Sequence, residues 1–168
     1  MSNQFINHVY LLMGGNTGNR LNNLKTASNA IEQRCGPILK RSFFYETAAW
    51  GMEGEPDFIN QLLLIKTDLD PENLLSNLLG IESEMGRKRQ QRYASRAIDI
   101  DILYYNDIVY HSTSLTIPHP RISQRKFALV PLVEIAPELI DPVSSMNMTT
   151  LLNHCDDPLE VTLFSTDV

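Results

Sequence analysis

Two aspartates spaced one residue apart inside an isoleucine run, Ile98-Asp99-Ile100-Asp101-Ile102, form the most chemically suggestive pattern in the chain. Side chains alternate between the two faces of a strand. A strand here therefore sends Asp99 and Asp101 to one face and the isoleucines to the other. Carboxylates about 7 Å apart along a strand are hard oxygen donors that can share divalent ions. With no Cys/His set nearby, Mg²⁺ is favoured over Zn²⁺. The plainer alternative is a solvent-facing pair that discourages edge aggregation. Against it, aspartate suits strands poorly, and two of them in an otherwise apolar strand need a compensating role.

Just upstream, residues 86–96 carry Arg87, Lys88, Arg89, Arg92 and Arg96. A charge run is usually a solvated face, but this one lies between a helix end and the paired aspartates. Arginine can grip phosphate bidentately, which makes Arg89 and Arg96 better candidates than Lys88 for oriented contacts. Carboxylates that hold metal beside cations that hold phosphate point to chemistry on a nucleotide. His119, stiffened between Pro118 and Pro120, stands near Arg121 and Arg125, so anion contact and a structural turn are comparably supported. Gly14-Gly15-Asn16-Thr17-Gly18-Asn19 lacks the Lys-Ser/Thr ending of a P-loop and the spacing of a dinucleotide fingerprint. A tight turn forming a pocket wall is the better reading. On composition alone, Phe58 and Phe127 read as core.

These residues must be positioned by a small set of elements. His8 to Met13 reads as a buried strand, followed by a helix with Leu21, Leu24, Ala27, Ile31 and Cys35 at helical spacing. Gly36-Pro37 ends it. Ile38 to Phe44 reads as a second strand, residues 45–57 as a long loop, and Phe58 to Thr67 as a third strand. Asp70 and Pro71 are a good cap and first position for a second helix ending at Gly86. The aspartate strand follows, with Asn106-Asp107 expected to turn a hairpin back to Ile108-Val109-Tyr110. A short helix interrupted near Pro131 is expected between Gln124 and Ile135. The order β-α-β-β-α-β predicts an α+β, ferredoxin-like fold. Its sheet would be mainly antiparallel with helices packed on it, and a C-terminal hairpin/helix region would be added.

The 168 residues suit one domain with a real core. A net charge of −6 argues against a general nucleic-acid binder and makes the basic cluster a local contrast that focuses anions. Cys35 and Cys155 are too few for a disulfide framework or a zinc site. No basic-then-apolar leader and no apolar run near the roughly 20 residues of a membrane span is present. A cytoplasmic monomer, without membrane or nucleic-acid partners, is the expectation.

Taken in order, the motifs resemble the 6-hydroxymethyl-7,8-dihydropterin pyrophosphokinase family from about Val9 to Asp141. They are Gly-Gly-Asn-Thr-Gly-Asn-Arg at 14–20, Phe44-Tyr45-Glu46-Thr47, Pro56-Asp57-Phe58-Ile59-Asn60, Ile81-Glu82 and Gly86-Arg87-Lys88-Arg89. Arg96-Ala97-Ile98-Asp99-Ile100-Asp101, Pro118-His119-Pro120-Arg121, Arg125-Lys126-Phe127 and Pro131 to Pro137 complete the series. The resemblance implies transfer of a diphosphate from ATP to a pterin alcohol in folate biosynthesis. Asp99 and Asp101 would hold two Mg²⁺ ions. Arg89, Arg96, His119 and Arg125 would contact the triphosphate, with Glu82 and Tyr93 near the nucleotide; Arg89 and Arg96 would be catalytic with the aspartates. Phe58 and Phe127 would sandwich the pterin, Asn60 would bond its edge, and Thr47, Ala48 and Trp50 would belong to its loop. Where the family often has Trp-Gly-Pro-Arg, this chain has Tyr93-Ala94-Ser95-Arg96. Ala48-Ala49 replaces a Pro-Pro, which implies a loop less rigid before binding. Residues 142–168 receive no role from the resemblance. A metal-dependent nucleotidyltransferase and a non-enzymatic ferredoxin-like binding module are the alternatives.

Overall fold

β1 (Asn7–Gly15) is flanked on both sides, by β4 (Phe58–Thr67) and β5 (Asp99–Tyr105), and both pairings are antiparallel. The fold is described by a computed structural model over residues 5–49, 54–86 and 97–166. The main sheet runs β5-β1-β4-β3-β8, with β2 (Ile38–Arg41) also on β4, and β3 (Tyr45–Thr47) pairs β8 (Val161–Leu163). This is a mixed helix and antiparallel-sheet architecture.

Both faces of the sheet are covered, which is why β1 and β4 read as nearly continuous apolar runs. On one face Val9, Leu11, Met13, Leu63, Ile98, Ile100 and Ile102 meet α1 (Arg20–Arg34) and α2 (Pro71–Glu84). Leu24, Ala27 and Ile31 come from α1, and Leu74, Leu78 and Ile81 from α2. Burying one such side chain contributes roughly 1.5–3 kcal/mol, so this helical stripe fixes which face of each helix turns inward. On the other face Leu12, Leu62, Leu103 and Tyr104 pack against α3 (Lys126–Ile135) and α4 (Met148–Asn153).

The helix ends follow the local chemistry. The Asn19 side chain accepts from the Asn22 N–H at the start of α1. Asp70 accepts from the Asn73 N–H at 2.8 Å at the start of α2, with Pro71 in the first turn. Gly36 sits at φ +134°, its α-carbon so close to β4 that a Cβ would lie 2.0 Å from the Lys66 carbonyl oxygen. Only glycine fits that crossing.

Three expectations are corrected. The second strand does not end at Phe44 before a long loop. It breaks at Ser42, whose hydroxyl accepts from the Leu62 N–H at 2.9 Å, and resumes on β4 as β3. Asn106 does not start a hairpin back along β5. β6 (Tyr110–His111) pairs instead with β7 (Thr116–Ile117) in a separate two-stranded sheet. The polar groups of β5 are already used there, since Leu103 O accepts from the His119 N–H at 3.0 Å and the Ile100 N–H goes to Glu82. Finally, Pro131 lies inside α3 without interrupting it. Cys35 and Cys155 are free thiols.

Candidate active site

The alternation along β5 separates its side chains as the sequence requires. Ile98, Ile100 and Ile102 are buried against α1 and α2, while Asp99 and Asp101 are half-buried on the opposite face. Register then builds a row across the sheet. Asp99 pairs with Gly14, Gly14 with Asn60, and Asn60 with Tyr45. Paired residues project to the same face, so the two carboxylates share one surface with a carboxamide 39 residues or more away in sequence. Gly14 makes the row possible. A Cβ there would stand 2.3 Å from Asn60 Oδ1, so the Asn60 side chain lies over bare backbone between β4 and β5.

Cations reach this surface from the segment before α3. Arg125 places Nη1 3.7 Å from Asp101 Oδ2, and its guanidinium carbon lies 5.6 Å from the centre of the Phe127 ring. That geometry orders both side chains through charge and cation–π attraction. His119 lies beside them. Burial first, then the charge of Arg125, pushes its pKa down to about 4, with Asp99 opposing and Arg121 reinforcing. The ring is therefore neutral near pH 7. Its Nδ1 accepts from the Arg121 N–H at 3.2 Å, which leaves Nε2 to carry the proton and donate outward.

At the other end of the row, Thr47 pairs with Phe58 and Tyr45 with Asn60. Thr47 and Asn60 are both buried. The Thr47 hydroxyl has no hydrogen-bond partner among the described residues. Phe58 is half-buried, and Phe127 packs against the α3-side core. Glu134 of α3 accepts from the Tyr45 hydroxyl and from the Phe43 N–H. This carboxylate, with burial as the larger cause, raises the Tyr45 phenol above its ordinary pKa. It also ties β3 to the helix that carries Phe127.

Residues 10–137 match the family model described as 7,8-dihydro-6-hydroxymethylpterin-pyrophosphokinase. The chain belongs to this pyrophosphokinase family. It is 41% identical over 135 residues to the 2-amino-4-hydroxy-6-hydroxymethyldihydropteridine pyrophosphokinase of Aquifex aeolicus, covering 80% of this chain and 84% of that one. The Haemophilus influenzae protein of the same name is 37% identical over 139 residues, covering 82% of this chain and 87% of that one. Among solved structures, an HPPK-DHPS chain of Plasmodium falciparum superposes with a TM-score of 0.77 at 19% identity. It covers 90% of this chain, which spans 46% of that longer one, and the likeness is one of fold.

Not every candidate of the pyrophosphokinase reading meets on the Asp99 face. Glu82 is 2% exposed on α2, and its Oε1 accepts from the Ile100 N–H at 2.8 Å. It lies with the buried residues of α2, where it satisfies a backbone donor of the strand at the sheet edge. Ala48 follows β3 directly. Arg89, Tyr93, Arg96 and Trp50 lie outside the described residues. Sequence reasoning missed Gly14 as a space-maker and Tyr45–Glu134 as a brace, because each depends on a partner dozens of positions away. Both stand in quoted motifs, but their roles are set by register.

Proposed function

We infer that the chain transfers a diphosphate from ATP to the hydroxymethyl oxygen of 6-hydroxymethyl-7,8-dihydropterin and releases AMP, the pyrophosphokinase step of folate biosynthesis. The observation that carries this reading is the row Asp99–Gly14–Asn60–Tyr45. One end offers what a metal-bound polyphosphate needs and the other what a flat, polar heterocycle needs, on one sheet face. The strand order β5-β1-β4-β2, with helices linking β1 to β2 and β4 to β5, supports a ferredoxin-like arrangement. α3, α4 and β8 extend it in one domain over residues 1–168.

The donor set suits Mg²⁺. Asp99 and Asp101 are hard oxygen donors on one face of β5. Two carboxylates leave the remaining positions to phosphate oxygens and water, as Mg²⁺ prefers. When bound, two such ions supply charge neutralisation and alignment of the attacking and leaving oxygens.

The chain's own residues divide the remaining work. Arg125, with Arg89 and Arg96 of the basic segment, would stabilise charge spreading over the phosphate oxygens. His119, neutral and donating from Nε2, adds a hydrogen bond without adding a charge. Glu82 would support β5 near the nucleotide, and Tyr93 would offer a flat surface for its base. Asn60 offers both a donor and an acceptor to the pterin edge. Phe58 and Phe127 offer the ring faces, and a ligand would satisfy the buried Thr47 hydroxyl. Ala48 and Trp50 would line the same loop. The pterin oxygen forms a bond to the β-phosphorus as the bond to the α–β bridging oxygen breaks. AMP keeps that bridging oxygen, and the hydroxyl proton passes to solvent.

Incubating the protein with ATP, Mg²⁺ and the reduced pterin alcohol tests this directly. AMP should appear in step with pterin diphosphate. Release of pyrophosphate would mark a nucleotidyltransferase, and no turnover would favour a binding module.

A further inference from the structure

The pterin end of the row is reached through the stem of the β3–β4 connection, and the turn before α1 fastens that stem from outside through the Arg20 and Asn16 side chains. Arg20 opens α1 immediately after the Gly14–Asn19 turn. Its Nη1 donates to Glu46 Oε2 at 2.7 Å and to the Asp57 carbonyl oxygen at 2.8 Å. Glu46 and Asp57 sit on opposite limbs of the stem, next to Thr47↔Phe58, the last β3–β4 pair. One nitrogen with two hydrogens thus bridges both limbs, a use that suits the preorganised guanidinium. The same turn adds a second tie. Asn16, 1% exposed, donates from Nδ2 to the Pro56 carbonyl oxygen at 3.1 Å.

The C-terminal segment closes the other side of this guanidinium. β8 pairs with β3 so that Glu46 faces Thr162. The Phe164 N–H donates to the Phe44 carbonyl oxygen at 2.8 Å, and the Phe164 ring centre lies 5.6 Å from the Arg20 guanidinium carbon. β8 falls beyond residues 10–137, the stretch that matches the family model.

We propose that Arg20 is a positioning residue for the pterin, and that the strand Val161–Leu163 with Phe164 holds its guanidinium in place. The proposal rests on the pyrophosphokinase reading for the identity of the ligand. Arg20 and Glu46 are 25% and 30% exposed in their side chains. Pairs this accessible contribute little to global stability. What the pair fixes is local: the relative position of the two limbs that present Thr47, Phe58 and Asn60. Reacting and binding groups tolerate little displacement, and about 1 Å can cost on the order of a hundredfold in rate.

Arg20→Ala, Arg20→Lys and Phe164→Ala should be compared with the wild type by steady-state kinetics in both substrates, thermal melting and amide hydrogen exchange. Arg20→Ala is expected to raise KM for the pterin about tenfold and leave KM for ATP within about twofold. The Thr47 and Phe58 amides should exchange faster while the melting temperature hardly moves. Lysine should restore part of the effect, and Phe164→Ala should shift KM for the pterin in the same direction by a smaller factor. Equal rises in both KM values, or unchanged pterin KM with unchanged exchange, would overturn the proposal. If Arg20→Ala fails to fold, Phe164→Ala, which keeps the ion pair, decides by the same criteria. An inactive wild type would sink the pyrophosphokinase reading, and the exchange comparison would then decide the clamp alone.

Discussion

Gly14→Ala separates the function of the row from the stability of the sheet. A Cβ on Gly14 would stand 2.3 Å from Asn60 Oδ1, 3.4 Å from Asn60 Cγ and 3.8 Å from the Ile59 carbonyl oxygen. Ordinary contact needs roughly 3.5 Å, so the amide oxygen must retreat by about 1 Å while the backbone can stay. Rotating a buried carboxamide out of place costs about 1–2 kcal/mol of stability, which a folded domain survives. Loss of its paired bonds to a pterin edge would cost about 1–3 kcal/mol of affinity, roughly 5- to 150-fold in Kd. Gly36→Ala is the control. There the Cβ would meet the Lys66 carbonyl oxygen at 2.0 Å, at φ +134°, and the obstacle is main chain. Its cost should exceed about 3 kcal/mol. Urea unfolding gives the two stabilities. Pterin binding with a non-hydrolysable ATP analogue present gives the affinities, with Asn60→Ala as reference. Wild-type pterin binding by Gly14→Ala alongside weakened binding by Asn60→Ala, or unfolding of Gly14→Ala as ready as that of Gly36→Ala, would refute this role for Gly14.

Asp99→Ala and Asp101→Ala should each abolish AMP formation while preserving the fold, because each removes an oxygen donor from a half-buried pair. Near-normal turnover of either variant at saturating Mg²⁺ would refute the metal assignment. His119 gives a stability prediction for the protein free of nucleotide and metal. Its pKa is about 4 in the folded chain and about 6.5 unfolded, so between these values the unfolded chain binds more protons. Stability should fall as pH drops from about 7 and level off below about 4, by at most about 3 kcal/mol from this group. His119→Asn keeps an acceptor for the Arg121 N–H and should remove that part of the slope. Identical slopes in denaturant titrations would contradict a buried, neutral His119.

Periodicity carries local information well and long-range pairing poorly, and this chain shows both. The α1 stripe, the Asp70–Pro71 start of α2 and the Asp99/Ile100 alternation each depend on neighbours within a few positions, and the structure places them as their spacing predicts. The interrupted second strand was not legible. Its break depends on the Ser42 hydroxyl replacing a backbone acceptor for Leu62, 20 residues away. The hairpin expected after Asn106 fails for a similar reason. Its turn residues are good, with Asn106 at φ 48°, but the edge it would join is engaged by Glu82 and His119. The C-terminal strand is too short to show a pattern, and its place is set by an available edge on β3.

The two ends of the site were unequally legible for the same physical reason. Asp99 and Asp101 lie two residues apart, so strand alternation alone puts them on one face. Asn60 joins them only because β1 pairs with both β4 and β5 in a register that opposes Gly14 to Asn60 and to Asp99. No spacing rule encodes such a register. Glu82 shows how a residue can be relevant to the site without standing on its open face. Buried on the inner face of α2, it accepts the N–H of Ile100, the residue between the two aspartates. A carboxylate in that position satisfies a buried backbone donor of the edge strand. It thereby fixes the backbone from which both metal-binding candidates project. A shorter side chain there would leave that N–H without its acceptor, whereas glutamine would keep one. Identity of the aspartates alone does not define the site; the buried carboxylate behind them does part of that work.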